Sequence, residues 1–224
     1  MPSLLLLDGS PRGPRSNTMK MLARVAEGWE RGGGAPPRVL HLARPGFDGA
    51  VAAFGEAGAV LLGMPLYTDA MPGLVMAYLE ALAPRVALAQ AGGANPSLGF
   101  LVQSGFPEAL HSRPLERYLE KLARRLRSPY AGTIVRGGGE ALQARPDWTN
   151  RKLWERLRVL GGQFARDGRF GAEELRAIAG PERFSPVTAA LLGLAFRLPL
   201  AQFYWNRQLK RNGAWDRRYA APYL

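Results

Sequence analysis

The stretch SLLLLDGSPRGPRSNT, residues 3–18, decides how the rest of the chain is read. Ser3 to Leu7 is an apolar run of strand length, and a run without polar alternation suits a parallel strand covered on both faces. It ends in Asp8-Gly9 and opens a loop, Gly9 to Thr18, made of small residues, hydroxyls and two arginines. Small residues let backbone N–H groups come close to a phosphate, hydroxyls add donors, and the positive end of a following helix adds field. A helix does follow. Met19, Leu22, Val25, Ala26 and Trp29 recur at three- and four-residue spacing, Ser16 or Asn17 is a suitable N-cap, and Gly32 to Gly34 stops the run.

Outward from that stretch the same alternation repeats. Arg38 to Leu42, Ala59 to Leu62, Leu98 to Val102 and Ala131 to Val135 read as strands two to five. A helix begins near Pro72 with Leu74, Val75, Tyr78, Leu79 and Leu82 on one face, and Pro84 is expected to end or kink it. Gln90 to Pro96 reads as a loop. Leu115, Tyr118, Leu119, Leu122 and Leu126 mark another helix, and a last one runs from about Thr149 with Leu153, Trp154, Leu157, Leu160 and Phe164 on one side. Five strands and the helices named between them are complete by about Arg166. The pattern predicts an α/β class: a doubly wound five-stranded parallel sheet with helices on both faces, in a domain over 1–180, followed by a C-terminal helical extension over 181–224.

Composition narrows the chemistry. With 224 residues, 47% of them hydrophobic, the chain can bury a sizeable core. It has no cysteine, which excludes disulfides, thiolate metal sites and a cysteine nucleophile, and only His41 and His111 as histidines, which argues against a histidine metal site or a catalytic triad. The hard chemistry, if any, is expected to belong to a cofactor. The net charge of +12 invites a nucleic-acid reading, but the basic residues are scattered and no nucleic-acid motif accompanies them, so no nucleic-acid partner is expected. Leu4 to Leu7 lacks a basic leader and is too short for a signal-peptide core, and cytoplasmic residence is the default expectation.

In an open parallel sheet ligands settle beyond the carboxyl ends of the strands, so the loops after strands one, three and four are the candidates. Two rival nucleotide motifs fail: there is no Gly-Lys-Ser/Thr, and no G-x-G-x-x-G with an acidic residue closing the second strand. Gly9 to Thr18, GSPRGPRSNT, resembles the phosphate loop of NADPH-dependent FMN reductases and related flavodoxin-like NAD(P)H oxidoreductases. The resemblance implies a flavodoxin-like fold, FMN as cofactor with NAD(P)H as co-substrate, and FMN phosphate contacts from Ser10, Arg12, Ser16, Asn17 and Thr18. Arg15 has no counterpart and is expected to be solvated. An ordinary strand-to-helix turn with a good cap has the same composition and is the plainer alternative.

Met64 to Pro72 resembles the Pro-x-Tyr segment that borders the flavin ring in that family, which implies ring contacts from Pro65, Leu66, Tyr67 and Thr68. It departs from many relatives at Asp69 and Ala70. Alternatively, Tyr67 packs on the next helix. Gln103-Ser-Gly-Phe-Pro-Glu108 resembles the family's loop after strand four, which implies Ser104, Gly105 and Phe106 beside the ring, and otherwise it is a simple turn. Ser104 with His111 does not make a hydrolase, because Val102 stands where a G-x-S-x-G elbow needs its first glycine. His111 is expected to cap or flank the following helix.

From Pro181 the chain carries an apolar stretch, Val187 to Leu200, which Pro199 divides into two helices, and then a basic aromatic segment through Tyr204, Trp205, Lys210, Arg211, Trp215 and Tyr219. The stretch is too short to span a bilayer, and it is expected to pack on the core or across a dimer, with docking on a membrane surface as the alternative. The resemblance implies an FMN-dependent enzyme that uses NAD(P)H to reduce a small-molecule electron acceptor such as a quinone or flavin, and a homo-oligomer. A flavodoxin-type electron carrier and a flavin-free membrane or nucleic-acid adaptor are the other two classes the residues leave open.

Overall fold

The computed structural model describes all residues except 45, 89–94, 141, 143–145, 198 and 222–224, and of residues 195–201 and 204 no side chain. The expected loop at Gln90 to Pro96 therefore lies largely outside the described residues. The chain divides into two compact units, Met1–Glu182 and Arg183–Leu224.

In the first unit β1 (Leu4–Asp8), β2 (Arg38–His41), β3 (Ala59–Pro65), β4 (Ser97–Gln103) and β5 (Tyr130–Arg136) form one sheet in the order β2-β1-β3-β4-β5, every pair parallel. Successive side chains of a strand point to opposite faces. Leu5 and Leu7 accordingly enter the core beneath α2 (Asp48–Glu56), α3 (Gly73–Leu88) and α4 (Arg113–Arg125), with Phe54, Val75, Leu82 and Leu119. Leu4 and Leu6 enter the opposite core beneath α1 (Asn17–Arg31), α5 (Arg151–Asp167) and α6 (Ala172–Ala179), with Trp29, Leu157, Phe164 and Ile178. Each fully buried leucine of β1 contributes roughly 1.5–3 kcal/mol, which is why this short strand can sit at the centre of the sheet.

The structure extends and corrects several sequence readings. β3 continues three residues past Leu62, because Gly63, Met64 and Pro65 pair with Leu101, Val102 and Gln103. Gly63 is a mid-strand residue on which Leu22 of α1 rests, and a Cβ there would lie 2.8 Å from Leu22 Cδ1. α3 does not end at Pro84. It runs on to Leu88 with Leu82 and Val86 buried on the same side, while Pro84 and Glu80 face solvent, where water can satisfy the carbonyl that proline leaves without a donor. α2 carries too few large apolar residues to show a helical period, and α6 lies beyond Arg166, where the sequence pattern names no helix before the C-terminal extension.

Tyr78 of α3 is buried with no partner for its hydroxyl, and burial alone holds its pKa well above the ordinary phenol value. Removing a buried, unpaired hydroxyl relieves a desolvation cost. Tyr78→Phe is therefore expected to raise stability by about 1 kcal/mol in urea denaturation.

In the second unit the described helices are α7 (Pro186–Arg197) and α8 (Pro199–Arg211). Among the described residues no helix is long and apolar enough to cross a membrane.

Candidate functional site

Strand order reverses between β1 and β3, and beyond their carboxyl ends the loop Gly9–Ser16 faces the loop after β3. Gly9 passes so near β3 that its N–H donates to the Gly63 carbonyl at 2.7 Å, and a Cβ would lie 2.5 Å from Val75 Cγ2. A short 3-10 turn, Gly13–Arg15, then turns the chain into α1, with Gly13 at φ 56°. Ser16 caps α1: its Oγ accepts from the Met19 N–H at 2.9 Å. The N–H groups of Asn17 and Thr18, in the first turn, have no acceptor within the helix.

Asp8, the last residue of β1, holds this loop from below. One carboxylate oxygen accepts from the Ser10 N–H at 3.1 Å and the other meets His41 Nδ1 at 2.9 Å. Burial pushes the Asp8 carboxyl above its ordinary value, and the hydrogen bond with His41 only partly opposes this. A raised native pKa means that the stability this group contributes is full below its unfolded pKa and falls as pH rises through the native value. Against Asp8→Asn, which cannot titrate, wild-type stability is expected to decline as pH rises from the ordinary carboxylate range, read from urea midpoints across pH.

Ser10, Arg12, Ser16 and Asn17 of the first loop, Pro65, Leu66 and Tyr67 of the second, and Gly105 of the third line one cavity of about 40 Å³, together with Gln103 and Glu140. A single water needs roughly 10–15 Å³ by this measure, so the space takes a phosphate-sized group and its open side must admit anything larger. The Arg12 guanidinium lies 3.4 Å from Glu140, and Asn17 Nδ2 donates to the Gly139 carbonyl at 2.8 Å. Asn17 Oδ1 is buried with no partner.

The other expected site residues fall outside this lining. Thr18 is fully buried and its Oγ1 takes a long bond of 3.5 Å from Gln103 Nε2, so its side chain does not line the cavity. Thr68 and Asp69 form the tip of a tight turn closed by two hydrogen bonds between Tyr67 and Ala70, both at positive φ. That is the geometry of a type I′ turn, which favours Asn-Gly and is strained for threonine. Tyr67 is 47% exposed at its base. Ser104 donates its hydroxyl to the Phe106 carbonyl at 3.0 Å and is buried, and Phe106 stacks on His111 with ring centroids 4.5 Å apart. His111 sits in the turn that leads into α4.

Glu140 and Gln103 were not singled out from the sequence. Gln103 ends β4 within a loop already under suspicion, but Glu140 lies 128 residues from Arg12 and only the sheet brings the two together. A larger hollow of about 600 Å³, lined by Gln163, Asp167, Arg169, Phe170 and Gly171, is at the opposite end, where Phe170 bonds to Ala131 at the start of β5. It lies at the start of β5, away from the carboxyl ends of the strands and the switch point between β1 and β3, so the smaller cavity is the better ligand site.

No family model matches the chain, and no curated protein matches it. Solved structures do. It is similar to an NADH:FMN oxidoreductase in its apo form (19% identity, 84% of this chain and 99% of that one, TM-score 0.57). The order β2-β1-β3-β4-β5 and this likeness together define the fold. It is flavodoxin-like. A flavodoxin-like arrangement also relates the chain to an FMN-dependent NADH-azoreductase from Bacillus anthracis in complex with FMN (11% identity, 73% and 99% covered, TM-score 0.57). An NADPH-quinone reductase from P. pentosaceus is similar over 74% of this chain and 98% of that one, at 19% identity and a TM-score of 0.52.

Proposed function

We propose that this chain is an FMN-dependent oxidoreductase that takes reducing equivalents from NAD(P)H and reduces a small acceptor such as a quinone or a flavin. The observation that carries the reading is the cavity at the start of α1, at the sheet's switch point, lined by Ser10, Arg12, Ser16 and Asn17. The structural neighbours named for FMN, NADH and quinone chemistry support it.

The residues present fit the phosphate end of FMN. Arg12 supplies a full positive charge, and the Ser10 hydroxyl and the first-turn N–H groups of Asn17 and Thr18 supply donors. Pro65 and Leu66 give a mostly apolar surface for a flat ring, and Tyr67 can cover it from solvent. FMN, when bound, supplies the hydride and electron chemistry. The chain's part is to hold, orient and shield it, and no side chain is assigned an acid or base role.

Two measurements on the purified protein test this. Added FMN should remain bound through gel filtration, seen as flavin absorption in the protein peak, and NADH or NADPH should then be consumed at steady state with a quinone present. Bound flavin without turnover would make the chain an electron carrier, and a colourless peak would remove the flavin reading altogether.

A further inference from the structure

Half of the net charge of +12 lies in residues 183–224, where seven arginines and lysines face Asp216 alone. The same unit shows apolar residues to solvent. α7, capped by Ser185 through the Thr188 N–H, carries Val187, Leu191 and Leu194 at i, i+4 and i+7, one face of the helix, exposed at 70%, 63% and 61%. α8 places exposed Phe203 on the same face as Arg207 and Lys210, with Arg211 beside them. After the turn at Gly213, the Trp215 ring has Lys210 Nζ 4.9 Å and the Arg218 guanidinium 4.0 Å from its centroid, and Tyr219, 88% exposed, has the same guanidinium at 4.8 Å.

We infer that this unit docks in the plane of an anionic lipid bilayer. An exposed stripe of Val and Leu needs an apolar partner, and seven cations with one acid need an anionic one; a bilayer with acidic headgroups offers both within a few ångströms. A second copy does not fit as well, because burying the stripe in a symmetric pair would bring two strongly positive units together. Nucleic acid would neutralise the cations but leave the apolar stripe in water. Aromatic rings flanked by Arg and Lys suit the headgroup level. A twelve-residue helix rises about 18 Å, well short of the roughly 30 Å hydrocarbon core, so α7 lies in the interface. This inference does not depend on the flavin reading.

The test is co-sedimentation of the full chain with phosphatidylcholine vesicles with and without phosphatidylglycerol, at low and high salt. Binding is expected only to the anionic vesicles, weaker at high salt, and reduced on the order of 100-fold in Arg207→Gln/Lys210→Gln/Arg211→Gln, three charges near the surface. Leu191→Glu/Leu194→Glu is expected to abolish binding; both residues are exposed, and unchanged circular dichroism shows that the fold is kept. Equal binding to neutral vesicles, no binding to anionic ones, or wild-type binding by the double glutamate variant overturns the inference. So does light scattering that shows a lipid-free dimer which that variant dissociates.

Discussion

Gly161→Ala is expected to cost about 3 kcal/mol of stability and to loosen the loop Gly9–Ser16 as well. α1 and α5 meet backbone to backbone. A Cβ on Gly161 would lie 2.0 Å from the Val25 carbonyl oxygen, and one on Gly28 would lie 1.9 Å from that of Arg158. Neither obstacle is the end of a flexible side chain, so the helices must separate, and Trp29 and Phe164, whose rings meet edge to face at 5.3 Å, lose their packing. α1 also begins at Asn17, so a displaced helix carries the Ser16 cap and the first-turn donors with it. Urea denaturation measures the first effect and phosphate or FMN titration the second. A variant with wild-type midpoint would show that the helices move apart at little cost.

Arg12→Ala is expected to weaken FMN binding about 10- to 100-fold, since a hydrogen bond to a charged group contributes roughly 1.5–3 kcal/mol. Glu140→Gln should act in the opposite sense. In the free protein Glu140 pairs with Arg12 at 3.4 Å, and both side chains are about half exposed. Such a pair contributes at most about 1 kcal/mol, so releasing it, and removing an acid from beside a phosphate, should tighten binding by up to about fivefold. Quenching of flavin fluorescence on titration reads both. Unchanged affinity in Arg12→Ala would remove the phosphate loop from the site.

Much of the fold and part of the site were legible in residue order because their signals are local. A parallel strand covered on both faces must be apolar throughout, which exposes β1, β3 and β4 as short hydrophobic runs. A cap must precede its helix by one residue, which narrows the choice to Ser16 or Asn17, and the fold takes Ser16. Gly63 and Pro84 misled for the same reason: both are breakers in isolation, yet ladder pairing to β4 carries the strand through Gly63, and a solvent-facing position lets α3 run past Pro84. Ser104 and Phe106 are placed beside a ring by resemblance alone; their contacts in the fold, Ser104 Oγ with the Phe106 carbonyl and the Phe106 ring with His111, are set by the path of the loop and carry no periodic signal.

The alternation of apolar runs and helical spacings was enough to specify a doubly wound sheet and to put the loop Gly9–Thr18 beyond the carboxyl end of its first strand, since both follow from short-range periodicity and turn chemistry. Folding alone set Glu140 against Arg12, placed His41 on Asp8, and pressed Gly28 and Gly161 into the facing helices. These partners are distant in the chain, and nothing in a side chain's identity states which remote backbone it will meet; that is settled by the register of the sheet and the close packing of the helices upon it.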